Sequence, residues 1–178
     1  MCGIIGYIGT EPAAGIVLDA LRRLEYRGYD SSGIATIDKG DLYVSRAVGK
    51  LKMLSAQLAA SPLSGVVGIG HTRWATHGGV TEMNAHPHSA GSNVAIVHNG
   101  IIENYADIKA RLTAAGVTFL SDTDSEVLAH LFHEAFEAGK APVDALNHVL
   151  SEIKGAFALA AIAKQYHDCL MVARNASP

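Results

Sequence analysis

Cys2-Gly3-Ile4-Ile5-Gly6-Tyr7-Ile8-Gly9, the run directly behind Met1, decides how the rest of this chain is read. Ile4 to Ile8 has the apolar density of a buried strand, so the run places a thiol at the head of the first strand of a sheet. Aminopeptidases that trim the initiator act when the next side chain is small, and Cys2 is small. The mature chain then begins with a thiol and a free α-amine on one residue. An α-amine has a reference pKa of about 7.7–8.0 and a thiol about 8.5, so the amine is partly neutral near pH 7 and able to accept the thiol proton. The competing reading is a small residue that merely opens a strand. Position alone does not choose between them; the partners must come from elsewhere in the sequence.

Outward from that run, 178 residues at 49% hydrophobic content are enough for one compact domain with a substantial core and too few for two. The formal net charge is −3, with acidic and basic residues interspersed and no Lys/Arg block of the kind that neutralises phosphate backbones, so nucleic acid is not an expected partner. No window reaches the ~18–20 apolar residues of a membrane span, and the N-terminus lacks the basic-then-apolar pattern of a leader. The expectation is a cytoplasmic protein without membrane contact. Cys2 and Cys169 are the two cysteines, too few for a disulfide framework, and Cys169 sits in the apolar run Cys169-Leu170-Met171-Val172-Ala173, where it reads as core.

Apolar spacing predicts a helix over Ala13 to Leu24, with Ile16, Val17, Ala20, Leu21 and Leu24 on its inner face. A polar turn, Glu25 to Ser32, leads into a hairpin of Gly33 to Ile37 and Leu42 to Ser45 with the four-residue connection Asp38-Lys39-Gly40-Asp41. A second helix is expected over Lys50 to Ala60, and buried strands over Val66 to His71 and Val94 to His98. Between those strands lies a long stretch rich in Gly, His, Thr and Asn, the signature of a functional loop. Further helices are expected over Tyr105 to Ala115, Ser125 to Ala138 (with Asp124 able to cap its first turn) and Val143 to Ile153. A last hairpin of Phe157 to Ala163 and Cys169 to Ala173 follows. Strands and helices come in blocks and not in strict alternation, which argues for antiparallel sheets with helices layered on them, an α+β class. The chain reaches Pro178 without a closing element, which suggests a domain, residues 1–178, that is incomplete at its C-terminal end.

Four segments carry the chemistry: Cys2-Gly3-Ile4; Leu24-Glu25-Tyr26-Arg27-Gly28-Tyr29-Asp30-Ser31; His71-Thr72-Arg73-Trp74-Ala75-Thr76-His77-Gly78; and His98-Asn99-Gly100-Ile101, with Asn84-Ala85-His86-Pro87 between the last two. Together they resemble the glutaminase domain of class II, N-terminal-nucleophile glutamine amidotransferases, along essentially the whole chain. Within that superfamily the wording Leu21-Arg22-Arg23-Leu24-Glu25-Tyr26-Arg27-Gly28-Tyr29-Asp30-Ser31 is similar to the branch that makes glucosamine 6-phosphate.

The resemblance implies a four-layer α/β/β/α sandwich, the N-terminal-nucleophile hydrolase fold. It implies hydrolysis of the glutamine side-chain amide through a γ-glutamyl thioester on Cys2, with the α-amine moving the protons. The ammonia would pass to a C-terminal sugar-phosphate isomerase domain, absent from these 178 residues, where fructose 6-phosphate becomes glucosamine 6-phosphate. No cofactor is implied, and dimer contacts in the family lie largely beyond Pro178.

Residue by residue, Asn99 and Gly100 are implied as the oxyanion hole, a side-chain N–H₂ beside a backbone N–H with no Cβ to shield it. Their other reading is a turn. Arg73 is implied to bind the substrate carboxylate, for which a guanidinium fork is suited, and Asp124 its amine; the alternatives are a solvated loop cation and a helix cap. Thr76 and His77 are implied as further substrate contacts, and the N-terminal amine leaves His77 no role as base. Arg27 and Gly28 are implied to pack beside the N-terminus and orient the nucleophile. Trp74 is implied to lie near the exit for ammonia, its other reading being a core anchor. The pairs His86/His88 and His130/His133 lack a metal-binding pattern, and no metal is expected. Two rivals remain open: a non-catalytic glutamine-binding module, and a class II amidotransferase with another acceptor.

Overall fold

The structure is a computed structural model that describes residues 2–75 and 78–177. Eight strands form two antiparallel sheets. The first is ordered β1-β4-β2-β3, from β1 (Gly3–Ile8), β2 (Ser31–Asp38), β3 (Asp41–Val48) and β4 (Val67–Arg73). The second is ordered β5-β6-β7-β8, from β5 (His88–Ala90), β6 (Val94–Gly100), β7 (Phe157–Ala163) and β8 (Met171–Asn175).

Strand periodicity sorts the side chains into layers. Ala35, Ile37, Val67 and Ile69 of the first sheet meet Ala95, Val97, Ala160 and Ile162 of the second and form the inner core. The alternate residues of the first sheet, Ile34 and Ala47, pack under α1 (Ala13–Leu24) and α2 (Leu51–Ala60). Those of the second, among them Val94, Ile96, Leu159 and Ala161, pack under α3 (Tyr105–Ala114), α4 (Glu126–Glu137) and α5 (Pro142–Glu152). Four layers in the order α/β/β/α result, as expected. Phe132, Leu128 and Leu131 of α4 are fully buried, each contributing on the order of 1.5–3 kcal/mol by leaving water. Among the described residues no helix is long and apolar enough to cross a membrane.

Several local expectations are corrected. The inner face of α1 is Ala13, Ala14, Val17, Leu18 and Leu21, with Ile16 turned outward. The first hairpin is tighter than expected: Asp38 pairs with Asp41, so the connection is Lys39-Gly40 alone, both at positive φ (50° and 85°), a two-residue turn matched to strand twist. The stretch between β4 and β6 is no open loop. Residues 84–88 are buried, and β5 pairs His88 with Ile96 and Ala90 with Val94. The last strand begins two residues later than expected, after a helical turn at Lys164–Tyr166, and Cys169 is only partly buried against the outer core.

Asp124 does not cap α4. That helix starts at Glu126 with Ser125 as its N-cap residue and no side-chain capping bond, while Asp124 Oδ2 accepts the Ile102 N–H at 2.8 Å. The carboxylate is spent across the chain on β6's exit instead of along its own helix.

Candidate active site

The sheets part at one end, where β1 begins and β4 and β6 finish, and the gap is a cleft of about 280 Å³. Period-two alternation explains what reaches it. Val67, Ile69, His71 and Arg73 share one face of β4: the first two are inner core, the last two line the cleft. On β6 the inward face runs Ala95, Val97, Asn99, and again the final residue lines the cleft. Cys2, Trp74, His98, Gly100, Asp124 and Ser125 also line it. Residues separated by up to 123 positions thus converge where two strands run out of apolar side chains.

Cys2 is held by backbone. The Trp74 N–H donates to its Sγ at 3.3 Å, and the Gly3 N–H donates to Thr72 Oγ1 at 3.2 Å, fixing the strand just behind the thiol. Burial pushes the Cys2 thiol up, and the Trp74 bond opposes but does not cancel that rise. A thiol in this state needs a base to ionise it near neutral pH.

The segment carrying Trp74 is itself pinned. Asp30 donates its N–H to the Arg73 carbonyl at 3.2 Å, while its carboxylate accepts the Ala75 N–H and, at 2.9 Å, the Ser31 hydroxyl. Gly28 packs flat on the same strand: a Cβ there would stand 2.7 Å from the Arg73 carbonyl carbon, so a larger residue displaces the clasp on Cys2. Arg27 is half-buried at the end of the helical turn Glu25–Arg27.

Arg73 is no solvated loop cation. It closes β4, is 4% exposed, and its guanidinium donates to the Gly79 carbonyl at 3.1 Å and to that of Gly78 at 3.5 Å. Asn84 fastens the same loop to the far wall, donating to the Gly79 carbonyl and to Asp122 Oδ2 while accepting the Asp122 N–H at 2.9 Å. Trp74 is 47% exposed and meets Tyr29 edge to face with centroids 5.3 Å apart, so it forms the cleft rim and anchors no core. Thr76 and His77 lie outside the described residues.

On the opposite wall Asn99 and Gly100 end β6. Gly100 has φ +140°, and a Cβ would come within 2.1 Å of the Ala156 carbonyl oxygen, so the position demands glycine. Behind it lies a feature the sequence reading missed, four buried histidines. His71 and His86 stack with centroids 4.1 Å apart, His86 and His88 meet edge to face at 4.5 Å, and the His98 N–H donates to His86 Nδ1 at 3.3 Å. Burial drives all four toward the neutral form, with His71 and His88 pushed down to about 3 and His98 to about 4, the last against the pull of Asp124. Asp30, Asn84, Ser125 and the His98 ring also went unassigned. Asp30, Asn84 and His98 were visible only as polar residues inside the quoted segments, and Ser125 only as the expected start of a helix.

The cleft therefore sets a thiol, a buried guanidinium and a buried carboxylate around a strand end bearing the Asn99 amide. That set fits a small zwitterion bearing a carboxamide.

Comparison with known proteins points the same way. A family model described as a glutamine amidotransferase domain matches residues 71–177. Glutamine–fructose-6-phosphate aminotransferases (isomerizing) from Caulobacter vibrioides and Brucella suis biovar 1 are each 53% identical over all 178 residues, and that from Zymomonas mobilis 54%. The chain spans 29% of the length of each of these relatives. Among solved structures, the glutamine phosphoribosylpyrophosphate amidotransferase of B. subtilis superposes with a TM-score of 0.78 at 28% identity, over 92% of this chain and 35% of that one. An allosteric regulatory enzyme of purine biosynthesis gives 0.82 at 29% identity, over 98% and 37%.

Proposed function

This chain belongs to the glutamine amidotransferase domain family, and on that premise we propose that residues 1–178 act as one glutaminase unit that hydrolyses the side-chain amide of L-glutamine. The observation that carries the reading is the clasp on Cys2, a half-buried sulfur accepting the Trp74 N–H at 3.3 Å inside a cleft that also holds Arg73 and Asp124.

Once Met1 is removed, the Cys2 α-amine takes the proton of a thiol that burial keeps from ionising unaided. The thiolate, steadied by the Trp74 N–H, attacks the carboxamide carbon, and the Asn99 amide and Gly100 N–H receive the charge that develops on oxygen. The ammonium of Cys2 returns its proton to the leaving nitrogen, ammonia departs and a γ-glutamyl thioester remains. Water, deprotonated by the same amine, breaks the thioester and releases glutamate with the thiol restored. Arg73, its fork aimed by the Gly78 and Gly79 carbonyls, pairs with the substrate carboxylate, Asp124 pairs with its ammonium, and Thr76 and His77 add contacts. Arg27 and Gly28 orient the nucleophile, and Trp74 borders the exit for ammonia.

Conversion of fructose 6-phosphate into glucosamine 6-phosphate, in the cytoplasm and through a C-terminal sugar-phosphate isomerase domain, is the acceptor reaction we assign to the longer protein. The names of the 53–54% identical relatives support it. Incubating the trimmed chain with L-glutamine tests the glutaminase step: glutamate and ammonia are expected in equal amounts, and none from the form that keeps Met1. Equal turnover by both forms would remove the amine from the mechanism. Reversible glutamine binding without turnover by trimmed protein would leave a binding module.

A further inference from the structure

The hydrogen bonds behind Asp124 have a direction that only one arrangement of protons satisfies. Asp124 lines the cleft at 6% exposure, its Oδ2 taken by the Ile102 N–H at 2.8 Å and its Oδ1 facing Ser125 Oγ at 3.3 Å. Ser125 Oγ in turn lies 2.7 Å from His98 Nδ1, across 27 residues of sequence. A hydroxyl carries one proton. Given to His98, it would leave the lone pairs of Ser125 and Asp124 opposed in a buried setting. Given to Asp124, it requires His98 to donate from Nδ1, and every contact is then a hydrogen bond. The ring is the Nδ1–H tautomer, and its Nε2 lone pair is buried without a hydrogen-bond partner among the described residues.

We infer that His98 and Ser125 are positioning residues for the ammonium subsite: the chain His98 Nδ1–H to Ser125 Oγ–H to Asp124 Oδ1 holds the carboxylate facing the substrate's α-amine. This rests on the proposed glutaminase function and extends it by assigning the part of the wall that recognises a free amino acid. Two features make the chain a positioning device. Both carboxylate oxygens are engaged by neutral donors, which deprive Asp124 of its freedom to turn without bringing a countercharge. The Ile102 bond ties the same carboxylate to the backbone two residues after Gly100, so the amine site and the strand end bearing Asn99 are set by one group. His98 strengthens the arrangement from within β6 itself, since its own carbonyl accepts from His71 Nε2 at 3.0 Å. A neutral His98 ring, kept so by burial, leaves the subsite's negative charge uncancelled.

The test measures binding in the Cys2→Ala background, where no turnover interferes, with L-glutamine and with glutaramate, the same molecule lacking the α-amine. Ser125→Ala is expected to weaken L-glutamine about tenfold, the scale of one hydrogen bond to a charged group, and to leave glutaramate within about twofold. Ser125→Thr, which restores the hydroxyl, should recover L-glutamine. His98→Asn, whose side-chain N–H stands near the Nδ1 position, should bind L-glutamine more tightly than His98→Ala. Equal losses for both ligands, or none for either, would overturn the inference alone, because L-glutamine would still bind the parent. A parent with Ser125 intact that binds no L-glutamine would overturn the proposed function and this inference with it.

Discussion

The two walls of the cleft are built by different means. The wall bearing Cys2 is set by backbone: a Trp74 amide on the sulfur, an Asp30 clasp on residues 73–75, and a glycine pressed against the strand. It is half open, with Tyr29 and Trp74 both about half exposed at the rim. The wall bearing Asn99 and Asp124 is set by side chains, a buried polar network running from Asp124 through Ser125 and His98 into His86 and His88 and reaching across to His71 on β4. The contrast teaches a division of labour. A thiol that must change protonation state works best against fixed backbone dipoles, whereas the subsite proposed for the α-amine uses desolvated side chains whose cost is met by mutual hydrogen bonding.

In the reaction proposed above the oxyanion donor Asn99 stands on the side-chain wall and the carboxylate-binding Arg73 on the backbone wall, so one variant on each should separate turnover from binding. Asn99→Ala removes a donor that acts as charge develops, and kcat is expected to fall by roughly 10²–10³ with KM moving by less than about threefold. Arg73→Ala removes a contact made equally before and during reaction, so KM should rise far more than kcat falls. Steady-state kinetics on both decides the matter, and parallel changes in both parameters for either variant would erase the distinction.

Acid should then find the histidine wall first. Folding keeps His71, His88 and His98 neutral with values near 3 to 4, whereas in the unfolded chain they titrate near 6.5. Below 6.5 the unfolded state therefore binds more protons. The stability these rings permit is complete above pH 6.5 and drains away as pH falls toward 3–4, by up to about 1.4 kcal/mol per pH unit for each ring. Glu126 follows later. Burial pushes its carboxyl up, but the His130 ring 3.5 Å from Oε1 and hydrogen bonds from the Ser121 hydroxyl and the Leu120 and Ser121 amides outweigh that and hold it at about 2, so its contribution is lost only below about 4.5. Urea midpoints at pH 7.5 and 5 should differ clearly, with His88→Gln shrinking the difference; a flat profile across that window would contradict the buried, neutral cluster.

A smaller effect is expected from Gly28→Ala on the backbone wall. The added methyl meets the Arg73 carbonyl carbon, and overpacking of this kind costs about 1–3 kcal/mol. Thermal unfolding should register that loss, and the rate of Cys2 alkylation should change with it. Unchanged alkylation would separate Gly28 from the nucleophile's clasp.

What the sequence disclosed follows the same divide. Ala13 to Leu24 appears as expected because one helix face is apolar and local spacing reveals it. Cys2, Arg73, Asn99 and Asp124 were legible because their flanking segments resemble a known family, and all four do line the cleft. Arg73 as a buried strand end was legible in principle, since it continues the period-two face of Val67, Ile69 and His71. The histidine network was not. Buried polar residues look like loop residues to any hydropathy pattern, and the partner that justifies burying His98, namely Ser125, lies 27 positions away. The same blindness hid β5, whose His88 and Ala90 are buried by α4 and β6 rather than by any apolar run of their own. Asp before a helix is commonly a cap, which is the second role the sequence offers Asp124; tertiary contact with Ile102 overrides that local rule.

The central claim, that trimmed Cys2 is a nucleophile served by its own amine, is tested most directly with 6-diazo-5-oxo-norleucine, a glutamine analogue that alkylates an attacking thiolate. Intact-mass and peptide mapping should find one adduct, on Cys2, in protein that has lost Met1, with protection by excess L-glutamine and no adduct in protein that keeps Met1. Equal labelling of the Met1-bearing form, or modification at Cys169 in place of Cys2, would contradict the account.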